Sequence, residues 1–164
     1  MQYDEAKHKF IQAWGTLGSS WGINKAMAQI HALLIISTEA LSTEQIMEEL
    51  QISRGNANMN IRALMDWGIV QKEFKVGQRK EFFVAGKDIW ELARQVSRER
   101  RKREIEPILK VLHQVQSVEG KDEEIEEFKK VTSDLQDFSL KVDGMIDKFT
   151  QSDKNWFYKL LLKL

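Results

Sequence analysis

From Tyr3 to about Ser19 the apolar positions Ala6, Phe10, Ala13, Trp14 and Leu17 recur at helical spacing, which predicts a first amphipathic helix. Gly15, Gly18 and Gly22 stand three and four residues apart on nearly one face. A glycine costs about 1 kcal/mol in a helix interior, so the stripe reads as room for another backbone to come close, with Gly22 as a stop. Asn24 is the expected N-cap of a second helix carrying Ala26, Met27, Ile30, Leu33 and Leu34. Ser42-Thr43-Glu44-Gln45 fits a capping box and opens a short helix, Thr43 to Leu50, with Ile46, Met47 and Leu50 turned inward. The turn Gln51-Ile52-Ser53 leads to a second N-cap at Ser53 and a helix from Arg54 to about Trp67. Two short helices joined so tightly form the helix-turn-helix pattern.

After Gly68 the period changes from helical to alternating. Ile69 to Lys75 and Arg79 to Val84 read as two strands around a loop, Val76-Gly77-Gln78, and a hairpin placed there is a wing. From Asp88 to about Val118 the pattern is helical again, with a break or kink expected near Glu106 because Pro107 cannot donate to the carbonyl of Arg103. Asp122 is the expected cap of a last long helix reaching about Thr150. Its apolar residues Phe128, Val131, Leu135, Phe138, Val142, Met145 and Phe149 alternate spacings of three and four, a heptad seam. Such a seam can pack within one chain or across a dimer. Gly144 interrupts it, and the tail Asn155 to Leu164 carries Trp156, Phe157, Leu160, Leu161 and Leu164 for docking on a core or partner. The expected fold is mainly α with a small β-hairpin wing (α+β). Residues 1–87 form a winged helix-turn-helix DNA-binding domain with its N-terminal helix, and residues 88–164 a helical dimerisation region with long C-terminal dimerisation helices.

Composition narrows the chemistry. The 164 residues include no cysteine, which excludes disulfides, cysteine metal sites and a thiol nucleophile. His8, His31 and His113 are scattered, and no HExxH, phosphate-loop or calcium-loop spacing occurs, so no catalytic residue, metal or cofactor is expected and the chain reads as a non-enzyme. An N-terminus rich in polar and acidic residues, with no window of about 18 apolar residues anywhere, points to a cytoplasmic protein without a membrane partner. Net charge is zero, yet it is unevenly spread. Residues 1–51 hold 3 basic and 6 acidic side chains, residues 52–104 hold 13 and 7, and residues 105–164 hold 9 and 12. A basic middle lies between acidic ends.

That middle contains the candidate contacts. On the second helix of the pair, Ala57, Ile61, Leu64 and Met65 form the buried stripe, while Gly55, Met59, Arg62 and Asp66 face away, flanked by Asn56 and Asn58. With Ser53 and Arg54 at its start, this face suits a major groove: Arg pairs bidentately with guanine, Asn with adenine, and an apolar tip meets a thymine methyl. A solvated face accepts Arg54, Asn56, Asn58 and Asn60 equally well. Lys72, Lys75, Gln78, Arg79 and Lys80 sit on the wing, where phosphate contacts add sequence-independent affinity; lysine on an edge strand also guards against aggregation. The run Arg98, Arg100, Arg101, Lys102, Arg103 is better read as ion-paired, with Glu99, Glu104 or the acidic stretch Asp122 to Glu127.

The stretch Leu41 to Leu64, LSTEQIMEELQISRGNANMNIRAL, continues through Asp66-Trp-Gly-Ile-Val70 to Gly77-Gln-Arg-Lys-Glu-Phe82. Together with Trp14-Gly-Thr-Leu-Gly-Ser-Ser-Trp-Gly22 and Glu99-Arg-Arg-Lys-Arg-Glu-Ile-Glu-Pro107, it resembles the GbsR-type branch of MarR-like winged-helix transcriptional regulators over roughly residues 10–115. The resemblance implies a homodimeric regulator, read as a repressor on a pseudo-palindromic operator in double-stranded DNA. It also implies that the N- and C-terminal helices build the dimer, that Ser53 to Arg62 enter the major groove and that Arg79 belongs to the wing. Some members of the branch sense choline through an aromatic box. Trp14, Trp21, Trp90 and Trp156 offer cation–π faces, while aromatic residues at helical spacing are more often core, so choline is not carried over and the small-molecule effector stays open. A winged-helix module that binds protein through the heptad helix is the competing reading.

Overall fold

The computed structural model describes residues 1–152, which form two compact units, Met1–Leu92 and a second from Ala93 onward. In the first, the order is α1 (Tyr3–Ser20), α2 (Lys25–Ile36), β1 (Leu41–Ser42), α3 (Thr43–Leu50), α4 (Arg54–Asp66), β2 (Val70–Glu73) and β3 (Phe82–Ala85). The helix α5 (Ile89–Arg100) begins in this unit. α2 is apolar around most of its circumference and is the centre of the unit. Its Ile30, Leu33 and Leu34 are almost fully buried against Ile46 of α3, Ile61 and Leu64 of α4, and Phe83 of β3. No helix among the described residues is long and apolar enough to cross a membrane.

Local chemistry sets the helix ends where the sequence places them. The Asn24 side chain accepts from the N–H groups of Ala26 and Met27, and Ser42 and Gln45 complete a reciprocal capping box. Gly22 (φ 75°) and Gly68 (φ 71°) close α1 and α4 in one way: Ile23 N–H bonds to the Gly18 carbonyl and Ile69 N–H to that of Leu64, five residues back in each case. The glycine stripe does allow close approach. A Cβ on Gly18 would lie 2.6 Å from Cβ of Ala28, and one on Gly15 2.6 Å from Cγ of Gln29, so α1 and α2 touch nearly backbone to side chain.

The wing departs from the expected hairpin. Val70 pairs with Ala85 and Glu73 with Phe82, so the loop is the eight residues 74–81 and not the three at 76–78. Arg79 and Lys80 are loop residues, and Val84 is followed by one more strand residue. The reason is burial: Phe82, Phe83 and Ala85 reach the core, whereas Phe74 is 89% exposed and has nothing to pack on. A third strand, β1, was not foreseen; its two residues pair antiparallel with β3, giving the order β1-β3-β2. Asn60, grouped above with a solvated face, is buried and donates through Nδ2 to the carbonyl and the side-chain oxygen of Asn56.

In the second unit α5 continues into a π-helical segment, Arg101–Ile105, followed by α6 (Glu106–Val115) and α7 (Glu123–Gln151). The Glu106 N–H bonds to the Arg101 carbonyl, five residues back, and Pro107 falls in the first turn of α6, where a missing N–H costs little. The expected break thus takes the form of one wide turn. Asp122 holds the N-cap position of α7, but its side chain makes no capping bond; Glu123, Glu124 and Glu126 supply the negative charge of the first turn instead.

α7 packs on α6 and on the π-helical segment through a stripe that includes half-buried Ile125, Thr132 and Asp143 and buried Ser139. The heptad seam lies one residue, about 100°, around the helix from this stripe. Phe128, Val131, Leu135, Phe138 and Met145 are exposed, and Val142 and Phe149 half-buried, so α6 does not cover the seam. Three arginines of the run are ion-paired, and their partners are not the 122–127 acids. Arg101 binds Asp143 and Asp147, Arg103 binds Glu99 and Arg100 binds Glu104. α7 folds back along α6, and this reversal puts its C-terminal half, not its acidic start, beside the π-helical segment. The tail at Asn155 to Leu164 lies outside the described residues.

Candidate nucleic-acid interface

α4 is built to present one face. Ala57, Ile61 and Leu64 anchor it in the core, with Met65 half-buried, and the Ser53 hydroxyl accepts from the Asn56 N–H to fix its start. The turn before it is held by Gln51, whose left-handed backbone (φ 53°) lets Ile52 N–H reach the Met47 carbonyl. Opposite the core, Arg54, Gly55, Met59 and Arg62 are exposed, and Asn56 and Asn58 half-buried. Asn56 is already engaged by Asn60 through its side-chain oxygen, which leaves its amide nitrogen unengaged among the described residues.

Between the start of α3, the face of α4 and the wing runs an open groove of about 380 Å³. Arg54, Asn58, Arg62, Lys72 and Lys80 line it, over a floor of Ile61, Met65 and Phe83. Five of the sequence-predicted contacts are thereby brought together. Gln78 and Arg79 are exposed beyond the groove in the wing loop, where Gly77 (φ 78°) sits in a turn closed by Gln78 N–H on the Lys75 carbonyl. Lys75 is turned elsewhere: half-buried, it lies 4.6 Å above the Phe82 ring, near the Ala40 carbonyl and Glu39. Its packing on the hydrophobic core edge makes it the least available of the wing cations.

Two acids that sequence reading did not single out also line the groove. Glu44 accepts from Arg54 Nη2 at 2.9 Å, and Glu81 is ion-paired with Lys72. The Glu44 carboxyl is held below the usual carboxylate range, first by its own backbone N–H, then by the Arg54 guanidinium, with the Lys80 charge adding to the effect. It is therefore ionised at neutral pH. Ten residues separate Glu44 from Arg54, and only the helix-turn-helix geometry brings them together.

Of the candidate aromatic positions, Trp14, Trp21 and Trp90 lie among the described residues. Trp14 is half-buried, its ring 5.7 Å from that of Phe10 and 6.4 Å from that of His31. Trp21 is 60% exposed, and Trp156 lies outside the described residues. No group of three or more His, Asp or Glu residues is placed to hold a metal ion among the described residues.

No protein-family model matches the chain. Over 87 residues, 53% of this chain, it is 26% identical to the HTH-type transcriptional repressor GbsR of Bacillus subtilis (strain 168). The matched stretch spans 48% of that relative, about half its length. This similarity agrees with the GbsR-type resemblance carried by the residues themselves. A solved structure described as a crystal structure of a transcriptional regulator superposes with a TM-score of 0.69, covering 88% of this chain and 95% of that one at 14% identity. The winged helix-turn-helix fold is thus shared with a protein of that description.

Proposed function

We propose that this chain, similar in sequence to a GbsR-type repressor, is a transcriptional regulator that binds double-stranded DNA as a homodimer on a pseudo-palindromic operator. The observation that carries the reading is the face of α4. It presents Arg54, Met59 and Arg62 to solvent beside a wing whose Arg79 and Lys80 are exposed, on a chain of zero net charge. Asn58 and Arg62 line the groove as base-edge readers, while Lys72, Arg79 and Lys80 supply phosphate contacts. Sequence similarity to a repressor favours repression as the sign of regulation.

The homodimer rests on the uncovered seam of α7. Leu135 and Phe138 are 46% and 64% exposed, and α6 adds Ile108 and Val111 at 40% and 50%, an apolar band on a helical hairpin that water disfavours. A second copy offers the same band in return, which closes the surface symmetrically. Two α4 helices then enter successive major grooves, roughly 34 Å or a multiple of it apart.

Selection of bound sequences from random duplex DNA at two salt concentrations tests the reading. A palindromic consensus at both concentrations, with an Arg62→Ala variant losing preference at one base pair per half-site, is the expected result. Binding without any preferred sequence, or none even at low salt, would refute a sequence-specific regulator.

A further inference from the structure

The ion pair between Glu44 and Arg54 joins the two helices of the helix-turn-helix across the groove that faces DNA. Both partners are pinned at helix starts: Glu44 sits inside the Ser42–Gln45 capping box, and Arg54 directly follows the Ser53 N-cap. Their side chains are 42% and 60% exposed, so the pair adds little to stability. A carboxylate in such a place also repels phosphates. A guanidinium has five N–H donors in a fixed fork, and Glu44 takes one of them, from Nη2. The remaining donors are aimed, with the swing of the side chain already restrained.

We infer that Glu44 is a positioning residue that makes Arg54 a reader of a base edge, a guanine by its donor pattern, and withholds it from the phosphate backbone. This rests on the DNA-binding reading above and deepens it. In a complex with the correct sequence, Arg54 keeps its bond to Glu44 and spends its free donors on the guanine acceptors. On an unrelated sequence, where nearly all affinity comes from phosphates, Arg54 reaches a phosphate only by leaving Glu44, whose charge is then left beside the backbone. The carboxylate thus weakens non-specific binding more than specific binding. Glu81, paired with Lys72 in the same groove, has no contact with Arg54 of this kind and provides the comparison.

The experiment is selection from random duplex DNA with the wild-type chain, Glu44→Gln, Arg54→Ala and Glu81→Gln. It is followed by titration of the best selected duplex and a scrambled duplex of equal length across salt concentrations. Arg54→Ala is expected to relax preference at one base pair per half-site and to lower the selected-to-scrambled affinity ratio about tenfold. Glu44→Gln should relax the same base pair, with a fall of about fivefold and tighter binding to scrambled DNA. Glu81→Gln should steepen the salt dependence of both duplexes while leaving the selected sequence unchanged. If Arg54→Ala changes no base preference, or Glu44→Gln leaves intact the one that Arg54→Ala relaxes, the positioning role is overturned while DNA binding stands. If the wild-type chain binds no duplex even at low salt, both readings fall together.

Discussion

Arg101 and Asp143 are joined by two hydrogen bonds, Nε to Oδ1 at 2.6 Å and Nη2 to Oδ2 at 3.0 Å, which tie the π-helical segment to α7. The planar guanidinium matches the carboxylate edge to edge, a geometry that lysine cannot reproduce. Both side chains keep some solvent contact, 30% and 18%, so water screens part of the attraction. A double-mutant cycle with Arg101→Lys and Asp143→Asn, read by urea denaturation, should give a coupling of about 1 kcal/mol. A value indistinguishable from zero would show that this pair does not help to dock α7 on the segment.

His31 makes stability depend on pH. It is buried in α2, its Nε2 has no hydrogen-bond partner among the described residues, and burial pushes its pKa down from 6.5 to about 4. The unfolded chain therefore takes up the proton first as pH falls. Stability from this group is complete above pH 6.5, is lost progressively toward pH 4, and changes no further once both states are protonated. The difference corresponds to about 3 kcal/mol. Asp143, whose carboxyl the Arg101 side chain holds below its ordinary value, loses its contribution in the same direction but at lower pH. Denaturation of wild type and His31→Leu at pH 7 and pH 4.5 isolates the histidine: the variant should be distinctly less sensitive over that interval, and an equal loss in both chains would contradict the assignment.

Gly55 separates stability from binding. A Cβ added there meets nothing within 4 Å, so no contact inside the chain requires glycine on the outer face of α4. Gly55→Ala should raise helix stability by about 0.5–1 kcal/mol. If this face seats against DNA, the same methyl group should weaken duplex binding severalfold although the protein melts at a higher temperature. Unchanged binding would place position 55 outside the interface.

The α7 seam makes assembly testable by charge. Phe138→Glu or Leu135→Lys removes no core contact of the single chain, because both residues are exposed there. Either substitution should shift sedimentation from dimer to monomer and cost operator affinity by uncoupling two half-sites. A wild-type chain that sediments only as monomer would remove the dimer from the proposal.

Much of this protein follows from interactions that span five residues or fewer, and those were legible in the sequence. The caps at Asn24, Ser42 and Ser53, the stops at Gly22 and Gly68, and the inward stripe of Ala57, Ile61 and Leu64 depend only on backbone geometry and neighbouring side chains. The pattern therefore determined the helix-turn-helix, the order of the helices around the wing and the exposed face of α4. Tertiary structure decided what depends on distant partners. Burial of Phe82 and Phe83 set the strand register and lengthened the wing loop, and β1 exists only because β3 is there to pair with it. Rotation of α7 by one residue put Ser139 inward and left Leu135 and Phe138 uncovered, a choice that a heptad pattern alone leaves open. The same packing gave Arg101 to Asp143 and brought Glu44 to Arg54. Charge complementarity tells which residues can pair; only the folded path of the chain tells which of them meet.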